Sequence, residues 1–372
     1  RLARASECRT TGNGFRMRIA IATDAWIPQV NGVVRTLVIT VRQLMERGYE
    51  IELIVPDQFL TIPLPGYSEI RMALAPGMGT RRTLGAFAPD VVHIVTEGPI
   101  GWSARRWCMQ NNVPFTTAFH TRFPDYASVR TGLSPDWFWP IMRHFHAASQ
   151  AVFVSTGRLK DELTARGIGA ARIWSRGIEA EQFHPDGPSH PRLADLPRPL
   201  MLSVGRVSSE KNLDAFLSLG GAGTKVIVGD GPALAEFKRK YPTAVFMGAL
   251  QGEELASAYR AADVFVFPSR TDTFGLVMIE ALACGVPVAG FPVLGPLDII
   301  GAEGRGTDGQ LSERVGALHD DLAVAIHEAL SADRRAAAHY GHSFDWDICT
   351  DQFLEGLRHA CAHPQPSVTL HA

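Results

Sequence analysis

The chain has 372 residues, and 46% of them are hydrophobic, which is enough for two cores of ordinary domain size. Its 36 basic and 38 acidic residues leave a formal net charge of −2, so charge gives no reason to expect a nucleic-acid partner. No apolar run approaches the roughly 20 residues that a membrane-spanning helix needs. Any contact with a membrane is therefore expected to be peripheral.

The start of the chain and its cysteines indicate a cytoplasmic protein. Residues 1–16 are polar and lack the apolar core and cleavage site of a signal peptide, so we expect a disordered N-terminal extension. A strand pattern begins directly at Met17, which suggests that translation naturally starts there. The five cysteines show no Cys-x-x-Cys spacing, which favours a reducing compartment and no structural metal.

Short apolar runs alternate with helical patterns through the first half of the chain. This alternation is typical of parallel strands joined by helices, and it predicts one doubly wound domain over residues 17–190. The predicted strands are 19–22, 51–55, 91–95, 114–118 and 151–154.

Turn-forming residues interrupt the pattern at 187–191 and 196–199, where we place the linker. A second domain is predicted over residues 191–342, and a helical pattern over 346–360 lies in the final segment, 343–372. The fold class is α/β, with two Rossmann-like, doubly wound parallel sheets, whose ligands bind beyond the carboxyl ends of the strands. The strands of the second domain are predicted at 200–204, 225–228, 244–247, 264–267 and 286–289.

Two carboxylates eight positions apart, Asp272 and Glu280, are the most specific functional signal. Asp272 follows the predicted strand 264–267, and Glu280 lies more than one turn inside a helix predicted over 275–284. Side chains so placed can bind hydroxyls at two points along one elongated ligand, and the N–H groups of the helix N-terminus suit a phosphate. An ordinary helix cap beside a solvated Glu280 is the alternative that the pair alone would favour.

The wider sequence resembles the retaining glycosyltransferases of the GT-B fold, in the large group 1 family that carries a Glu-x7-Glu element. Asp272 stands where that family most often has Glu, which shortens the reach of the side chain by one methylene. The resemblance implies two domains facing across a cleft and a last helix that returns to the first domain. The other matching segments are 205–212 (Gly-Arg-Val-Ser-Ser-Glu-Lys-Asn), 228–232, 28–33, 119–124 and 176–179.

For the donor, the resemblance implies a nucleotide diphosphate sugar as co-substrate. We expect no other cofactor, and no metal, because two cations and a helix N-terminus can neutralise the diphosphate and no Asp-x-Asp pair lies beside them. Arg206 and Lys211 follow a predicted strand and can neutralise the leaving diphosphate, although solvated surface charges would look the same. Glu280 is expected to bind the ribose hydroxyls, and Asp272 the transferred hexose. The remaining predicted donor-binding residues are Gly32, Gly205, Gly248, Leu250, Thr273, Phe274, Gly275 and Leu276.

His120 completes the predicted catalytic set with Arg206, Lys211 and Asp272. It follows the predicted strand 114–118, where an imidazole can point toward the sugar, and a hydrogen-bonded structural histidine is the alternative. The resemblance implies that His120 contacts the donor sugar, while the acceptor proton passes to the departing phosphate in a same-face displacement.

The acceptor side is predicted from the segment 131–147, whose mixture of Trp, Phe, Arg and His suits a membrane interface. A helix packed into the first domain explains the same residues, because Phe138, Met142 and Phe145 share one helical face. The resemblance is greatest to the branch that transfers mannosyl, sulfoquinovosyl or glucosyl groups to lipids, which favours a lipid acceptor such as diacylglycerol at the inner face of the cell membrane. The residues predicted on this side are Asn31, Arg122, Tyr126, Trp137, Trp139 and Arg143.

Two other functions stay open. A transferase with the same donor site could act on a soluble or polysaccharide acceptor. A non-catalytic nucleotide-binding module would also have glycine-rich turns after strands, but no Gly-x-Gly-x-x-Gly opens the first helix. The sequence indicates neither a nucleic-acid partner nor a particular oligomeric state.

Overall fold

The computed structural model describes residues 17–29, 31–64 and 67–363, and it divides into two compact units. One unit ends at Ser175 and resumes at Asp347, and the other spans Arg176–Trp346. Each unit is built on a six-stranded parallel sheet, which confirms the predicted pair of Rossmann-like sheets. Residues 176–190, assigned to the first domain from the sequence, lie in the second unit, where Ile178 and Phe183 join its core. The predicted extension, 1–16, lies outside the described residues.

The first unit combines a parallel sheet with a separate antiparallel hairpin. The strands are β1 (Arg18–Ala22), β2 (Glu50–Ile54), β3 (Thr61–Leu64), β4 (Tyr67–Ala73), β5 (Val91–Ile94), β6 (Phe115–Ala118), β7 (Ala151–Val154) and β8 (Ala171–Ile173). The helices are α1 (Gly32–Glu46), α2 (Gly77–Phe87), α3 (Pro99–Asn111), α4 (Phe123–Thr131), α5 (Trp139–His146) and α6 (Gly157–Ala165).

The first sheet has the strand order β2-β1-β5-β6-β7-β8, and β3 pairs with β4 outside it. Because β1 lies between β2 and β5, the direction of winding reverses between β1 and β5. This position is the topological switch point, where ligands of open α/β sheets bind.

The second unit has the strands β9 (Leu200–Val204), β10 (Thr224–Val228), β11 (Val245–Gly248), β12 (Val264–Phe267), β13 (Val288–Gly290) and β14 (Gly316–Leu318). Its helices are α7 (Leu213–Leu217), α8 (Leu234–Lys240), α9 (Gly252–Ala261), α10 (Leu276–Ala283), α11 (Leu294–Ile299), α12 (Leu322–Ala329) and α13 (Arg334–Gly341).

Helices cover both faces of the second sheet, whose order is β11-β10-β9-β12-β13-β14. In β12, Phe265 and Phe267 pack into the core on one face, and Val264 and Val266 into the core on the other. This alternation explains why a fully buried parallel strand reads as an unbroken apolar run. The switch point of the second sheet lies between β9 and β12.

The last helix, α14 (Trp346–Ala362), belongs to the first unit from Asp347 onward. Phe353 packs against Phe153 and Trp174, with ring centroids 5.3 and 4.8 Å away, and Arg47, which caps the C-terminus of α1, pairs with Asp347 at 2.8 Å. The helix therefore completes a core laid down some 180 residues earlier in the chain. Within the described residues, no helix combines the length and hydrophobicity needed to cross a bilayer.

Candidate active site

The loop after β9, which carries Arg206 and Lys211, is held in place by the loop after β10. The Gly205 N–H donates to Val228 O and the Val207 N–H to Asp230 O, both at 2.9 Å. A Cβ at Gly229, whose φ is +143°, would lie 1.8 Å from Gly205 O, so only glycine fits there. The glycine turn at 228–232 thus positions the neighbouring loop.

Lys211 and Asp272 meet across the switch point of the second sheet. The Lys211 Nζ donates to Asp272 Oδ1 at 2.6 Å, and both side chains are largely buried. The Asn212 Nδ2 donates to Pro268 O at 3.0 Å and ties the two loops together. Burial raises the pKa of Asp272, but the charge of Lys211 and the hydrogen bonds from Lys211 and Ser269 together outweigh it and leave the pKa below its ordinary value. Asp272 is therefore ionised at neutral pH, in a preformed ion pair.

The segment from Asp272 to Gly275 is rigidly mounted at the N-terminus of α10. Gly275 adopts φ +92°, and a Cβ there would lie 2.8 Å from Met278 Cε. A Cβ at Gly295 would lie 2.8 Å from Phe274 O and 3.0 Å from Asp272 O, so α11 packs directly on this loop. The N–H groups that open α10 are consequently held at a fixed position beside the Lys211–Asp272 pair.

Glu280 is the fifth residue of α10 and is only 2% exposed. Its Oε2 accepts a hydrogen bond from the Tyr259 hydroxyl at 2.7 Å. Tyr259, on α9, is fully buried against Phe183 and Phe265. Sequence reasoning missed Tyr259, since a tyrosine on an amphipathic helix carries no functional signal by itself. The bond fixes the direction in which the carboxylate of Glu280 points.

Three other predicted donor residues lie at the same edge of the second sheet. Arg206 and Leu250 are half-buried, and Gly248 ends β11 with φ +78°. Thr273 and Leu276, also half-buried, flank the buried Phe274 and the mounted Gly275. The structure thus groups the predicted donor residues of this unit at one carboxyl edge of the sheet. They follow β9, β11 and β12, which lie within the four adjacent strands β11-β10-β9-β12.

In the first unit, His120 is the second residue after β6 and is half-buried, with its ring 5.5 Å from that of Trp174. Gly32 is the first residue of α1, and Asn31 caps this helix. The Asn31 Oδ1 accepts from the N–H groups of Val33 and Val34, each at 3.0 Å. The structure therefore gives the Asn31 oxygen a capping role, while its assignment to the acceptor side stays a prediction.

Arg122 lies in an ion-pair cluster. It donates to both oxygens of Glu162, at 2.7 and 3.0 Å, and also to Asp125. Burial would lower the pKa of Arg122, but its bonds to Glu162 and Asp125 raise it overall. Its charge is therefore already balanced by two carboxylates. The side chain of Tyr126 lies outside the described residues.

The two tryptophans of the predicted membrane segment have opposite environments. Trp137 is 73% exposed, whereas Trp139 is only 3% exposed. Trp139 stacks on Phe119 at 5.9 Å, and the Arg166 guanidinium lies 4.2 Å from its ring centroid. The prediction that Trp139 faces a membrane is therefore wrong, because α5 buries it against the end of β6. Arg143 is exposed, as expected.

Trp137 is one of several apolar side chains exposed in the same stretch of the chain. We define the α4–α5 patch as Phe123, Leu133, Trp137 and Ile141, which are all exposed on α4, α5 and the turn between them. Arg143 and His144 are exposed beside it on α5. An apolar surface with adjacent cationic side chains is typical of proteins that bind the membrane interface.

Comparison with known proteins shows where the chain belongs. A GDP-mannose-dependent alpha-mannosyltransferase of Mycobacterium tuberculosis is 32% identical, over 91% of this chain and 95% of its own. The chain is a group 1 glycosyltransferase. The family model Glycosyltransferase Family 4 matches residues 30–182, and Glycosyl transferases group 1 matches residues 198–332. The predicted family is confirmed.

Two further relatives of this glycosyltransferase share 29% and 26% identity with it. The sulfoquinovosyl transferase of Arabidopsis thaliana is 29% identical over 83% of this chain and 67% of its own. The alpha-monoglucosyldiacylglycerol synthase of Streptococcus pneumoniae is 26% identical over 85% of this chain and 79% of its own.

Solved structures support the fold. Sucrose-phosphate synthase from Thermosynechococcus elongatus has a TM-score of 0.69 at 20% identity, over 93% of this chain and all of that one. An Anabaena protein in complex with UDP and glucose has a TM-score of 0.64 at 15% identity, over 92% of this chain and all of that one. Both likenesses concern the GT-B fold alone.

Proposed function

We propose that this glycosyltransferase moves a hexose, with retention of configuration, from a nucleotide diphosphate sugar to a hydroxyl of a lipid such as diacylglycerol. GDP-mannose is the first donor to test, because the relative that matches 91% of this chain is named for it, and a UDP-hexose is the second. The observation that carries the proposal is the preformed Lys211–Asp272 pair at the switch point of the second sheet.

The donor is bound by the second unit. Lys211 and Arg206 take the diphosphate, where negative charge grows as the bond to the sugar breaks. The N–H groups at the start of α10 add a neutral source of phosphate hydrogen bonds. Glu280, oriented by Tyr259, accepts from the ribose hydroxyls. With these positive groups in place, the reaction needs no metal ion.

Asp272 has two tasks in this scheme. Its Oδ1 holds the Lys211 ammonium, and the Ser269 hydroxyl also interacts with this carboxylate. The Asp272 side chain is 19% exposed, and we assign its exposed part to a hydroxyl of the hexose. The carboxylate of Asp272 then holds the sugar and also positions the Lys211 ammonium beside the leaving phosphate. One residue therefore positions the groups on both sides of the breaking bond.

The chemical step breaks the bond between the anomeric carbon and the phosphate oxygen while the acceptor oxygen bonds to the same face of that carbon. The acceptor proton passes to the departing phosphate oxygen, so charge and atoms balance without a protein base. His120 positions the sugar during this exchange, as the family resemblance implies. Its place after β6 puts it at the carboxyl edge of the first sheet.

A lipid acceptor is supported by the α4–α5 patch and by the relatives. The patch offers Trp137 and three further apolar side chains to a membrane, with Arg143 available to anionic headgroups. One relative is named as a synthase of a glucosyldiacylglycerol. The enzyme would then work as a peripheral protein on the cytoplasmic face of the membrane.

The test is a two-step assay. First, slow hydrolysis of GDP-mannose and of a set of UDP-hexoses is measured without acceptor, to identify the donor. Second, transfer to diacylglycerol in anionic liposomes is compared with transfer to soluble sugars, and the anomeric configuration of the product is read by NMR. An inverted product would exclude retention, and transfer to soluble sugars alone would exclude the lipid acceptor.

A further inference from the structure

The switch point of the first sheet carries two carboxylates that the proposed function does not use. Asp24 follows β1, and Glu97 follows β5. The two loops are joined, since the Thr96 hydroxyl donates to Asp24 Oδ2 at 2.9 Å and the Asp24 N–H donates to Thr96 Oγ1 at 2.8 Å. Both carboxylates therefore lie where an open α/β sheet binds its ligand.

Asp24 is fully occupied by the protein itself. Its Oδ1 accepts from the N–H of Ile100 at 3.0 Å, and its Oδ2 from the N–H of Gly101 at 3.3 Å, so it caps α3. A Cβ at Gly98 would lie 2.4 Å from this carboxylate. Burial raises the pKa of Asp24. Asp24 thus has no oxygen to spare for a ligand, but it fixes the loop that carries Glu97.

Glu97 faces a buried histidine through one oxygen. Its Oε1 lies 3.5 Å from His146 Nε2, and both atoms are buried with no hydrogen-bond partner in the described part of the chain. His146 is 2% exposed, on the last turn of α5. The pair is thus a polar contact that no hydrogen bond among the described residues explains.

A chain of hydrogen bonds determines which nitrogen of His146 carries a proton. The Ser149 hydroxyl donates to Ala151 O at 2.5 Å, and the Thr117 hydroxyl donates to Ser149 Oγ at 3.1 Å. The oxygen of Thr117 can then only accept, so His146 Nδ1, 2.8 Å away, is the donor. The other ring nitrogen, Nε2, is the one that faces Glu97 Oε1.

The second oxygen of Glu97 is available. The side chain is 17% exposed, and Oε2 neither belongs to the buried atoms nor makes a hydrogen bond with any described residue. The strand pairing aligns Ile94 with Thr117, so Glu97 and His120 each lie three residues beyond a paired position on neighbouring strands. Neighbouring strands are about 4.8 Å apart. Glu97 and His120 are therefore expected to be no farther apart than the width of one sugar ring.

We propose that Glu97 binds the acceptor, with Oε2 accepting a hydrogen bond from a hydroxyl next to the one that is glycosylated. A carboxylate accepts from hydroxyls and repels phosphate. The preferred acceptor is then an uncharged head group with several hydroxyls, a sugar or polyol on a lipid, rather than a phosphorylated one. This inference rests on the proposed function and narrows its lipid acceptor from diacylglycerol, which has a single hydroxyl, to a lipid whose head group carries several.

The experiment compares Glu97→Gln with the wild type on three lipids in mixed micelles: a neutral glycosyl-diacylglycerol, diacylglycerol and phosphatidylinositol. We expect the wild type to favour the glycosyl-diacylglycerol over phosphatidylinositol by tenfold or more in kcat/KM. Glu97→Gln should raise KM for the glycosyl lipid about tenfold and leave donor hydrolysis unchanged. Glu355→Gln, an exposed carboxylate of α14 in the same unit, is the matched control and should change neither value.

Each contrary result has its own meaning. A normal KM for the glycosyl lipid in Glu97→Gln would overturn the inference, as would a wild type that prefers phosphatidylinositol. A parallel fall in donor hydrolysis and melting temperature would show that the pair with His146 is only structural. If Glu97→Gln does not fold, Glu97→Asp replaces it in the test. Asp keeps the negative charge but is one methylene shorter, so its carboxylate lies farther from the acceptor, and the KM for the glycosyl lipid must still increase. If the wild type glycosylates only soluble sugars, the lipid acceptor fails, and the KM shift with those sugars decides the role of Glu97.

Discussion

The two switch points of this glycosyltransferase have the same topology but opposite chemistry. In the second unit, a cation after β9 meets an anion after β12, as Lys211 pairs with Asp272. In the first unit, the equivalent loops bring two carboxylates, Asp24 and Glu97. The fold fixes where a ligand binds, and the loop residues decide which chemical class it belongs to.

The difference suggests a division of labour. The second switch point has cations and helix N–H groups, which suit a diphosphate. The first has one carboxylate consumed as a helix cap and one with a single accessible oxygen, which suits an uncharged hydroxyl. Four tests, in order of decreasing effect, would break or sharpen this contrast.

The largest effect is expected for Lys211→Ala, which should lower turnover by roughly 100-fold or more at saturating donor, because it removes charge aimed at the leaving diphosphate. Arg206→Ala should act similarly. Because Lys211→Ala also leaves Asp272 buried without its cation, the double variant Lys211→Ala with Asp272→Asn separates lost stability from lost catalysis. Lys240→Ala, an exposed lysine paired with Asp214 in the same unit, is the control. Near-normal turnover in both single variants would remove the cationic role of this switch point.

A smaller effect is expected for Glu280→Gln, which should weaken donor affinity about tenfold. The substitution removes a carboxylate that accepts hydrogen bonds from the ribose hydroxyls in the ground state and the transition state alike. Isothermal titration with the nucleoside diphosphate measures it. Tyr259→Phe keeps the carboxylate but removes the bond that orients it, so its affinity should fall between those of wild type and Glu280→Gln. Unchanged affinity in Glu280→Gln would contradict the ribose assignment.

The contrast between Trp137 and Trp139 tests how the acceptor reaches the first unit. Trp137→Ser should weaken binding to anionic liposomes several-fold and shift the free energy of unfolding by only about 0.5 kcal/mol, because the side chain is exposed. Trp139→Ser should instead lower the melting temperature, since its ring is buried against Phe119. Liposome binding is measured by co-sedimentation. Equal binding by Trp137→Ser and wild type would exclude the α4–α5 patch as a membrane contact.

The smallest effect is expected on chelation. If Arg206, Lys211 and the N-terminus of α10 balance the diphosphate, EDTA should leave the rate of transfer unchanged. A complete loss of activity, restored by magnesium or manganese, would show that the second switch point needs a metal ion after all.

The sequence predicted the fold largely because buried parallel strands read as apolar runs between turn residues. It missed β8 and β14, which are three-residue edge strands, and the hairpin β3–β4, whose Pro63 is atypical of a strand. Such short or edge elements form because a neighbouring strand offers free hydrogen-bonding groups, and a local pattern does not contain that information.

The sequence predicted the site residues that lie in a motif. It missed the residues whose role depends on contacts with distant parts of the chain. Lys211 and Asp272 could be paired only loosely from sequence, since 61 positions separate them. The buried face of α5 contains Trp139, Met142, Phe145 and His146. Met142 and Phe145 were predicted on that face, but Phe138, the third predicted residue, precedes the helix and is only half-buried. Glu97 could have been found, because an acidic residue in the loop after a strand fits the rule that located the other sites. The bonds that set His146 come from three separate elements and have no sequence signature.

The return of α14 also bears on how the chain is made. The second unit, Arg176–Trp346, is one continuous segment whose ends lie together, since the Ile178 N–H donates to Phe344 O at 3.0 Å and a Cβ at Gly177 would touch Trp346. The first unit, by contrast, needs Phe353 from α14 to close its core around Phe153 and Trp174. During synthesis the half that begins later can finish folding first. The first unit cannot close its core until α14 has left the ribosome. A truncation after Trp346 should therefore destabilise the first unit and leave the second unit, which ends at the cut, folded.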